Sequence, residues 1–161
     1  MTIELQAPNR ELSDGVDIRM LYSVFLGGSI EMGKATHWQK RLLEDFSHVD
    51  DHLVFLNPRR DDWDSSWVQD PTPGSKFNEQ VTWEIDMQEI ANLIIYYFDP
   101  GTISPITLLE LGLYKDKNTV VCCSPEYARY GNVKIVCERY NIKIVESYDE
   151  LVNYLKGKLE R

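Results

Sequence analysis

Short apolar runs alternate along this chain with segments of helical periodicity. The apolar runs, rich in β-branched and aromatic residues, cover 21–28, 52–58, 93–98, 118–124 and 141–147. Helical periodicity covers about 34–47, 76–92, 104–115 and 148–160, with a less regular region at 125–140. Strands that alternate with helices require right-handed crossovers and a parallel sheet covered on both faces. The sequence therefore predicts an α/β fold, a flavodoxin-like or Rossmann-like three-layer sandwich with a five-stranded parallel sheet.

Length and hydropathy predict a single domain at 21–161, preceded by a polar N-terminal arm at 1–20. A chain of 161 residues with 43% hydrophobic residues can bury one ordinary core. No apolar run approaches the ~18 residues needed to span a membrane. The polar, acidic first segment lacks the features of a secretory signal, so we expect a cytoplasmic protein.

Charge and ligand-type residues exclude several classes of function. A net charge of −9 without a basic cluster disfavours binding of DNA or RNA, although a small anionic ligand stays open. Three cysteines, two of them adjacent in one strand, do not form a disulfide framework. His48 and His52 have no third ligand near them in the sequence. We expect no metal and no cofactor.

In a parallel α/β sheet, ligands bind beyond the carboxyl ends of the strands. This rule selects the segments 27–34, 57–75 and 99–110. The first of them, Gly28 to Lys34, matches the opening of a P-loop, G-x-x-x-x-G-K. Ala35 replaces the magnesium-binding Ser or Thr, and Glu31 adds a carboxylate that repels a triphosphate. The glycines therefore predict either close approach of a small ligand to backbone N–H groups or only a tight turn.

Two carboxylates interrupt otherwise apolar helix faces. On one helix the face consists of Ile106, Leu109, Glu110 and Leu113, and on another of Trp83, Asp86, Met87 and Ile90. A carboxylate on an apolar face is costly unless it is hydrogen-bonded or has a raised pKa, so such groups are candidates for chemistry. A water-facing position at the edge of the core is the alternative. Paired carboxylates suit glycosidic chemistry.

Asp99 is a third acid at the carboxyl end of a predicted strand. It stands in the sequence Asp-Pro-Gly, where turn chemistry alone is an equal explanation.

Together these segments resemble the nucleoside 2-deoxyribosyltransferases and the related deoxynucleotide N-hydrolases. The resemblance lies in VFLGGSIEMGKA (24–35), FLNPRRDDWD (55–64), the helix at Glu84–Asp86 and YFDPGTISPITLLELGLY (97–114). The glutamate-leucine-glycine step at 110–112 is its most specific part. The resemblance is closest to the transferase-like branch of the family.

The resemblance implies a role for particular residues. Glu110 matches the nucleophile that forms a glycosyl-enzyme, and Asp86 matches the aspartate that positions or protonates the departing base. Ser104 falls where transferases have an aspartate and nucleotide hydrolases a serine beside a phosphate. Asn132 resembles an asparagine lent to a neighbouring subunit, which implies a homodimer or higher homo-oligomer. Phe25 replaces a tyrosine found near the nucleophile in well-studied members.

The expected substrate-binding residues come from the loops that follow the strands. The long loop at 57–75 could supply a tryptophan to stack on a base and an arginine to meet a phosphate. The alternative is a solvated loop with its tryptophans tucked onto the domain. The full expected set is Gly28, Ser29, Ile30, Gly33, Arg59, Asp62, Trp63, Asp99, Ser104 and Asn132.

The leading hypothesis is N-glycosyl transfer between (deoxy)nucleosides or nucleotides by double displacement. Glu110 would attack C1′, Asp86 would assist the leaving base, and a second base would resolve the intermediate with retention. Hydrolysis, with water as acceptor, is the first alternative. Cleavage of a dinucleotide such as NAD and a non-catalytic nucleotide sensor are the others.

Overall fold

The computed structural model describes residues 3–29, 36–49, 52–61 and 68–160. The described residues form six strands: β1 (Ile3–Gln6), β2 (Tyr22–Gly28), β3 (Leu53–Asn57), β4 (Leu93–Phe98), β5 (Thr119–Cys123) and β6 (Lys143–Val145). They also form α1 (Trp38–Asp45), α2 (Lys76–Ile90), α3 (Pro105–Leu113), α4 (Tyr130–Arg139) and α5 (Tyr148–Leu159). No helix in these ranges is long and apolar enough to cross a membrane.

The α/β fold with a parallel sheet is confirmed, but the predicted number of strands is wrong. The sheet has six strands in the order β1-β3-β2-β4-β5-β6, and every neighbouring pair is parallel. The additional strand is β1, which lies in the segment expected to be a polar arm. It pairs with β3 in the register Leu5 to Leu56. As a short edge strand, of which only Leu5 is buried, it carries almost no apolar signal.

Two apolar layers cover the sheet, one on each face. In β4, Ile94, Tyr96 and Phe98 point to the layer formed with α2, α3 and α4. Leu93 and Ile95 point to the layer formed with α1 and α5. Because a strand alternates its side chains between the two faces, an uninterrupted apolar run such as 93–98 is buried on both sides.

The strand order reverses between β2 and β4, and the carboxyl ends of these two strands lie side by side. A crevice opens at such a point because the two connections leave toward opposite faces of the sheet. Gly28, the last residue of β2, pairs with Tyr97 of β4. A Cβ at Gly28 would lie 2.3 Å from the Tyr97 carbonyl oxygen, and its φ is +137°. Only glycine therefore allows this close approach of the two strand ends.

Candidate active site

A cavity of about 440 Å³ lies at the carboxyl ends of β2 and β4, between α2 and α3. Most of its walls are apolar, and a few polar side chains converge on it. This combination is typical of small-molecule sites, which hold few polar groups that fix the ligand's orientation. The lining residues are Phe25, Gly27, Gly28, Pro58, Arg60, Gln69, Phe77, Gln80, Val81, Glu84, Ile85, Pro105, Ile106, Thr107, Leu109, Glu110 and Leu113.

Glu110 enters this cavity from α3 and is partly buried. Its Oε2 accepts a hydrogen bond from the side-chain amide of Gln88 on α2. Burial raises the pKa of Glu110 to about 7, and the bond from Gln88 opposes that rise. The apolar stripe expected around Glu110 is not core, because Ile106, Leu109 and Leu113 are each more than half exposed. They form the mouth of the cavity instead.

Glu84 faces the same cavity from α2. Burial, and then the charge of Glu110, raise the pKa of Glu84 to about 8. The Gln80 amide opposes this rise, since its Nε2 lies 3.4 Å from Glu84 Oε1 and donates to it. The same Nε2 donates to the Pro58 carbonyl at 2.8 Å. Two carboxyl groups in one apolar cavity cannot both ionise cheaply, so they compete for a proton near neutral pH.

Asp86 does not lie where the sequence analysis placed it. Its Oδ2 forms an ion pair with Arg10 at 2.8 Å, with the two side chains 42% and 50% exposed. It lines a separate surface groove beside the N-terminal segment. Residues two apart on an α-helix point about 200° away from each other, so Glu84 and Asp86 cannot face one cavity. The acid that the structure brings together with Glu110 is Glu84.

A buried hydroxyl cluster consisting of Ser29, Thr102 and Ser104 joins the ends of β2 and β4. Ser29 Oγ lies 2.5 Å from Ser104 Oγ and 2.9 Å from Thr102 Oγ1. It also accepts the Asp99 N–H at 2.9 Å. Ser104 directly precedes α3 but does not cap it through its side chain. Its φ of 50° is the left-handed region, and its hydroxyl turns toward Ser29.

Asp99 and Arg59 bind Thr36 and do not line the cavity. Asp99 Oδ2 accepts from the Thr36 N–H and hydroxyl, both at 3.0 Å, and Oδ1 accepts from the Gly101 N–H. Burial by itself would raise the pKa of Asp99, but these bonds and the charge of Arg59 lower it. Buried Arg59 donates to the Thr36 carbonyl at 2.7 Å.

The arginine that lines the cavity is Arg60, not Arg59. Its side chain is 3% exposed and pairs with Glu79 at 3.3 Å. Arg59 and Arg60 are adjacent in the sequence but have different partners, Thr36 and Glu79, and residue type alone did not distinguish them. The expected residues Ile30, Gly33, Asp62 and Trp63 lie outside the described residues. Asn132, on α4, is exposed and does not line the cavity of its own chain.

Three contributors to the site were missed from the sequence: Gln88, Tyr96 and the facing acid Glu84. The Tyr96 hydroxyl donates to Gln88 Oε1 at 2.5 Å and lies 3.2 Å from the Glu110 carbonyl oxygen, so a tyrosine hydroxyl does stand near Glu110 although Phe25 has none. The spacing of Gln80, Glu84 and Gln88, four residues apart, was the available signal for one polar helix face. Within the described ranges no group of three potential metal ligands occurs.

Comparison with known proteins identifies a family whose model matches this chain. A family model described as "Nucleoside 2-deoxyribosyltransferase like" matches residues 21–127. No curated protein matches the chain. A crystal structure of a conserved protein from Enterococcus faecalis V583 has a TM-score of 0.61 and 13% identity, covering 86% of this chain and 99% of that one. At this identity the likeness shows the fold alone.

The two raised pKa values predict that the protein loses stability as the pH rises. Between about pH 4.5, the ordinary value for Glu, and pH 8 the folded state keeps protons that the unfolded chain releases. The Glu84→Gln variant cannot ionise there. Relative to that of the native protein, its free energy of unfolding should therefore rise between pH 5 and pH 8.5, by at most about 4 kcal/mol.

Urea denaturation at the two pH values measures this difference. The matched control is Asp86→Asn, which removes only the exposed pair with Arg10 and should change the free energy of unfolding by less than about 1 kcal/mol at either pH. An equal effect of Glu84→Gln at pH 5 and pH 8.5 would contradict the prediction.

Proposed function

This chain belongs to the nucleoside 2-deoxyribosyltransferase-like family, and on that premise we propose that it cleaves and transfers the N-glycosidic bond of (deoxy)nucleosides or nucleotides. Members of this family are typically enzymes that transfer or hydrolyse glycosyl groups. The observation that carries the proposal is the pair Glu84 and Glu110 in one apolar cavity. The cavity volume of about 440 Å³ suits a nucleoside-sized ligand. The reversal of strand order between β2 and β4 supports a ligand at this edge of the sheet.

The pKa values of the two acids suggest their roles. Glu84 has the higher pKa, near 8, so it holds the shared proton and acts as the general acid. Glu110 accepts a hydrogen bond from Gln88, which favours its ionised form, and so it acts as the nucleophile. When two titratable groups have pKa values separated by their environments, the acid and the base can be assigned in this way.

The reaction then has two steps. The Glu110 carboxylate attacks C1′, the C1′–N bond breaks, and the base leaves with the bonding electron pair and the proton of Glu84. In the second step a nitrogen of an incoming base attacks C1′ of the glycosyl ester and releases Glu110. The Glu84 carboxylate takes the proton of the incoming base, and two inversions give net retention. If water is the acceptor, the same sequence is hydrolysis.

Residues in or next to the cavity support binding of the sugar and of a 5′-phosphate. Gly28 lines the cavity, and Ser29 follows it directly. Ser104 precedes the lining residue Pro105 and shares the hydroxyl cluster. A serine at position 104 is neutral, and thus it does not repel a 5′-phosphate as an aspartate would. Arg60 is the cation that lines the described part of the cavity.

Replacement of Glu110 tests the nucleophile. We expect Glu110→Ala to lower the rate of base release at least a thousandfold, because the covalent step loses its attacking group. Chromatography of free base from a panel of nucleosides and 5′-nucleotides, with and without an acceptor base, measures the rate. Release without acceptor identifies a hydrolase, and new nucleoside only with acceptor identifies a transferase. Tight binding without turnover, unchanged in Glu110→Ala, would instead support a nucleotide sensor.

Replacement of the two acids on α2 tests which one serves the leaving base. Glu84→Gln should slow base release at least a hundredfold, because an amide cannot protonate the departing base. Asp86→Asn, two residues away on the opposite side of the helix, should stay within about threefold of the native rate. A substrate with a good leaving group, such as a p-nitrophenyl deoxyriboside, should restore most of the activity of Glu84→Gln. If Asp86→Asn slows base release more than Glu84→Gln does, Asp86 is the acid that protonates the leaving base.

We propose further that the protein is a homo-oligomer in which α3 and α4 face another copy. Exposed apolar side chains on these helices support this, namely Ile106, Leu109, Leu113 and Ile135 at 56%, 59%, 61% and 67% exposure. Asn132 lies three residues before Ile135 on the same side of α4, so it could reach a neighbouring active site.

Sedimentation velocity should give at least a dimer, and Leu109→Glu should dissociate it. A native monomer would contradict this proposal.

A further inference from the structure

Gln88 is a fully buried polar side chain that the proposed reaction does not use directly. It lies on α2 with 0% of its surface exposed. Its Nε2 donates to the Glu84 carbonyl oxygen at 3.1 Å and to Glu110 Oε2. Its Oε1 accepts the hydroxyl of Tyr96 at 2.5 Å. Every hydrogen-bonding group of this amide therefore has a partner, and one partner is the proposed nucleophile.

Tyr96, together with the Glu84 carbonyl oxygen, fixes which way the Gln88 amide faces. It is fully buried in the central strand β4, and burial raises the pKa of its hydroxyl, which stays protonated. The hydroxyl also lies 3.2 Å from the Glu110 carbonyl oxygen. Because the Glu84 carbonyl oxygen can only accept, the Gln88 NH₂ points at it and at Glu110, and the amide oxygen points at Tyr96 and takes the proton of its hydroxyl. The reverse orientation would bring the amide oxygen against the carboxylate of Glu110.

We propose that Gln88 and Tyr96 form a positioning relay for Glu110, in which Tyr96 orients the Gln88 amide and the amide holds Oε2 of the carboxylate. This inference rests on the proposed function, since it assigns supports to the nucleophile proposed there. The relay leaves Oε1 of Glu110 as the attacking atom, because no described residue donates to it. It also gives the ionised nucleophile a hydrogen bond that compensates part of its burial.

The relay supplies uncharged groups to Glu110 in a cavity that also holds ionisable ones. Glu84 on α2 and Tyr114 at the end of α3 face Glu110. Arg60 lines the same cavity from the segment after β3. A charged donor at position 88 would form an ion pair with Glu110 and weaken its attack. A neutral donor supports the carboxylate without neutralising it.

Carbon-13 NMR of glutamate δ-carboxyl groups tests the relay without any substrate, with Glu110→Gln identifying the signal. Gln88→Met keeps the side-chain volume but removes the donor, so the pKa of Glu110 should rise by about one. Tyr96→Phe should raise it by less, because the released amide can still donate in one of its two orientations. The double variant should shift no further than Gln88→Met alone, since Tyr96 acts through Gln88.

The matched control is Tyr148→Phe, which removes a buried tyrosine hydroxyl bonded to Asp45 at 2.6 Å on the other face of the sheet. It should leave the Glu110 signal in place. Additive shifts in the double variant, or an unchanged Glu110 titration in Gln88→Met, would overturn the relay. If Gln88→Met fails to fold, the Glu110 titration of Tyr96→Phe is compared with that of Tyr148→Phe. A raised pKa of Glu110 in Tyr96→Phe alone supports the relay, and no difference between the two variants overturns it.

Kinetics give a second readout that separates this inference from the proposed function. With a substrate that releases base, Gln88→Met should lower kcat about tenfold or more, move the acidic limb of the pH–rate profile upward and change KM less than about threefold. A shifted Glu110 titration without turnover of any substrate would keep the relay and refute the glycosyl-transfer function. Turnover with an unshifted Glu110 titration would keep the glycosyl-transfer function and refute the relay.

Discussion

Burial of the parallel sheet on both faces is the constraint on which the rest of this protein depends. With apolar layers on either side of β4, its inner residues cannot offer polar groups to solvent. Polar chemistry is therefore restricted to the carboxyl ends of the strands, where the chain leaves the sheet. The reversal of strand order at β2 and β4 opens a crevice there, and Gly28 lets the two ends approach closely enough to form its floor.

The electrostatics of the site follow from that location. Glu84 and Glu110 reach one cavity from helices that pack on the same face of the sheet, so burial raises the pKa of both, and the charge of Glu110 raises that of Glu84 further. The pKa values of the two acids differ because their hydrogen-bond partners differ. Gln88 donates a short hydrogen bond to Glu110 Oε2 and a second one to the Glu84 carbonyl oxygen, whereas Gln80 reaches Glu84 Oε1 only at 3.4 Å and donates to the Pro58 carbonyl at 2.8 Å. Buried polar side chains, and not the net charge of the protein, decide which acid keeps the proton.

The sequence predicted some elements well because their signals are local. The continuous apolar run at 93–98 and the helical periodicity at 104–115 depend only on neighbouring residues, and both β4 and α3 appear where expected. The strand β1 was missed because a four-residue edge strand buries only one side chain. The face of α2 was assigned wrongly for a different reason. Trp83 and Met87 do face the core, but the periodicity of an apolar stripe does not say which flank of it meets a cavity.

By itself the sequence determined the parallel α/β architecture, the family and the placement of Glu110 after the strand end, because periodicity and motif spacing are properties of contiguous residues. Only the tertiary structure decided that Glu84 and not Asp86 faces Glu110, that Arg60 and not Arg59 lines the cavity, and that Tyr96 reaches Glu110 through Gln88. These pairings join helices, strands and loops distant in the chain. Their partners are chosen by how α2 rotates as Trp83 and Met87 bury themselves against the sheet, and that rotation is a property of packing.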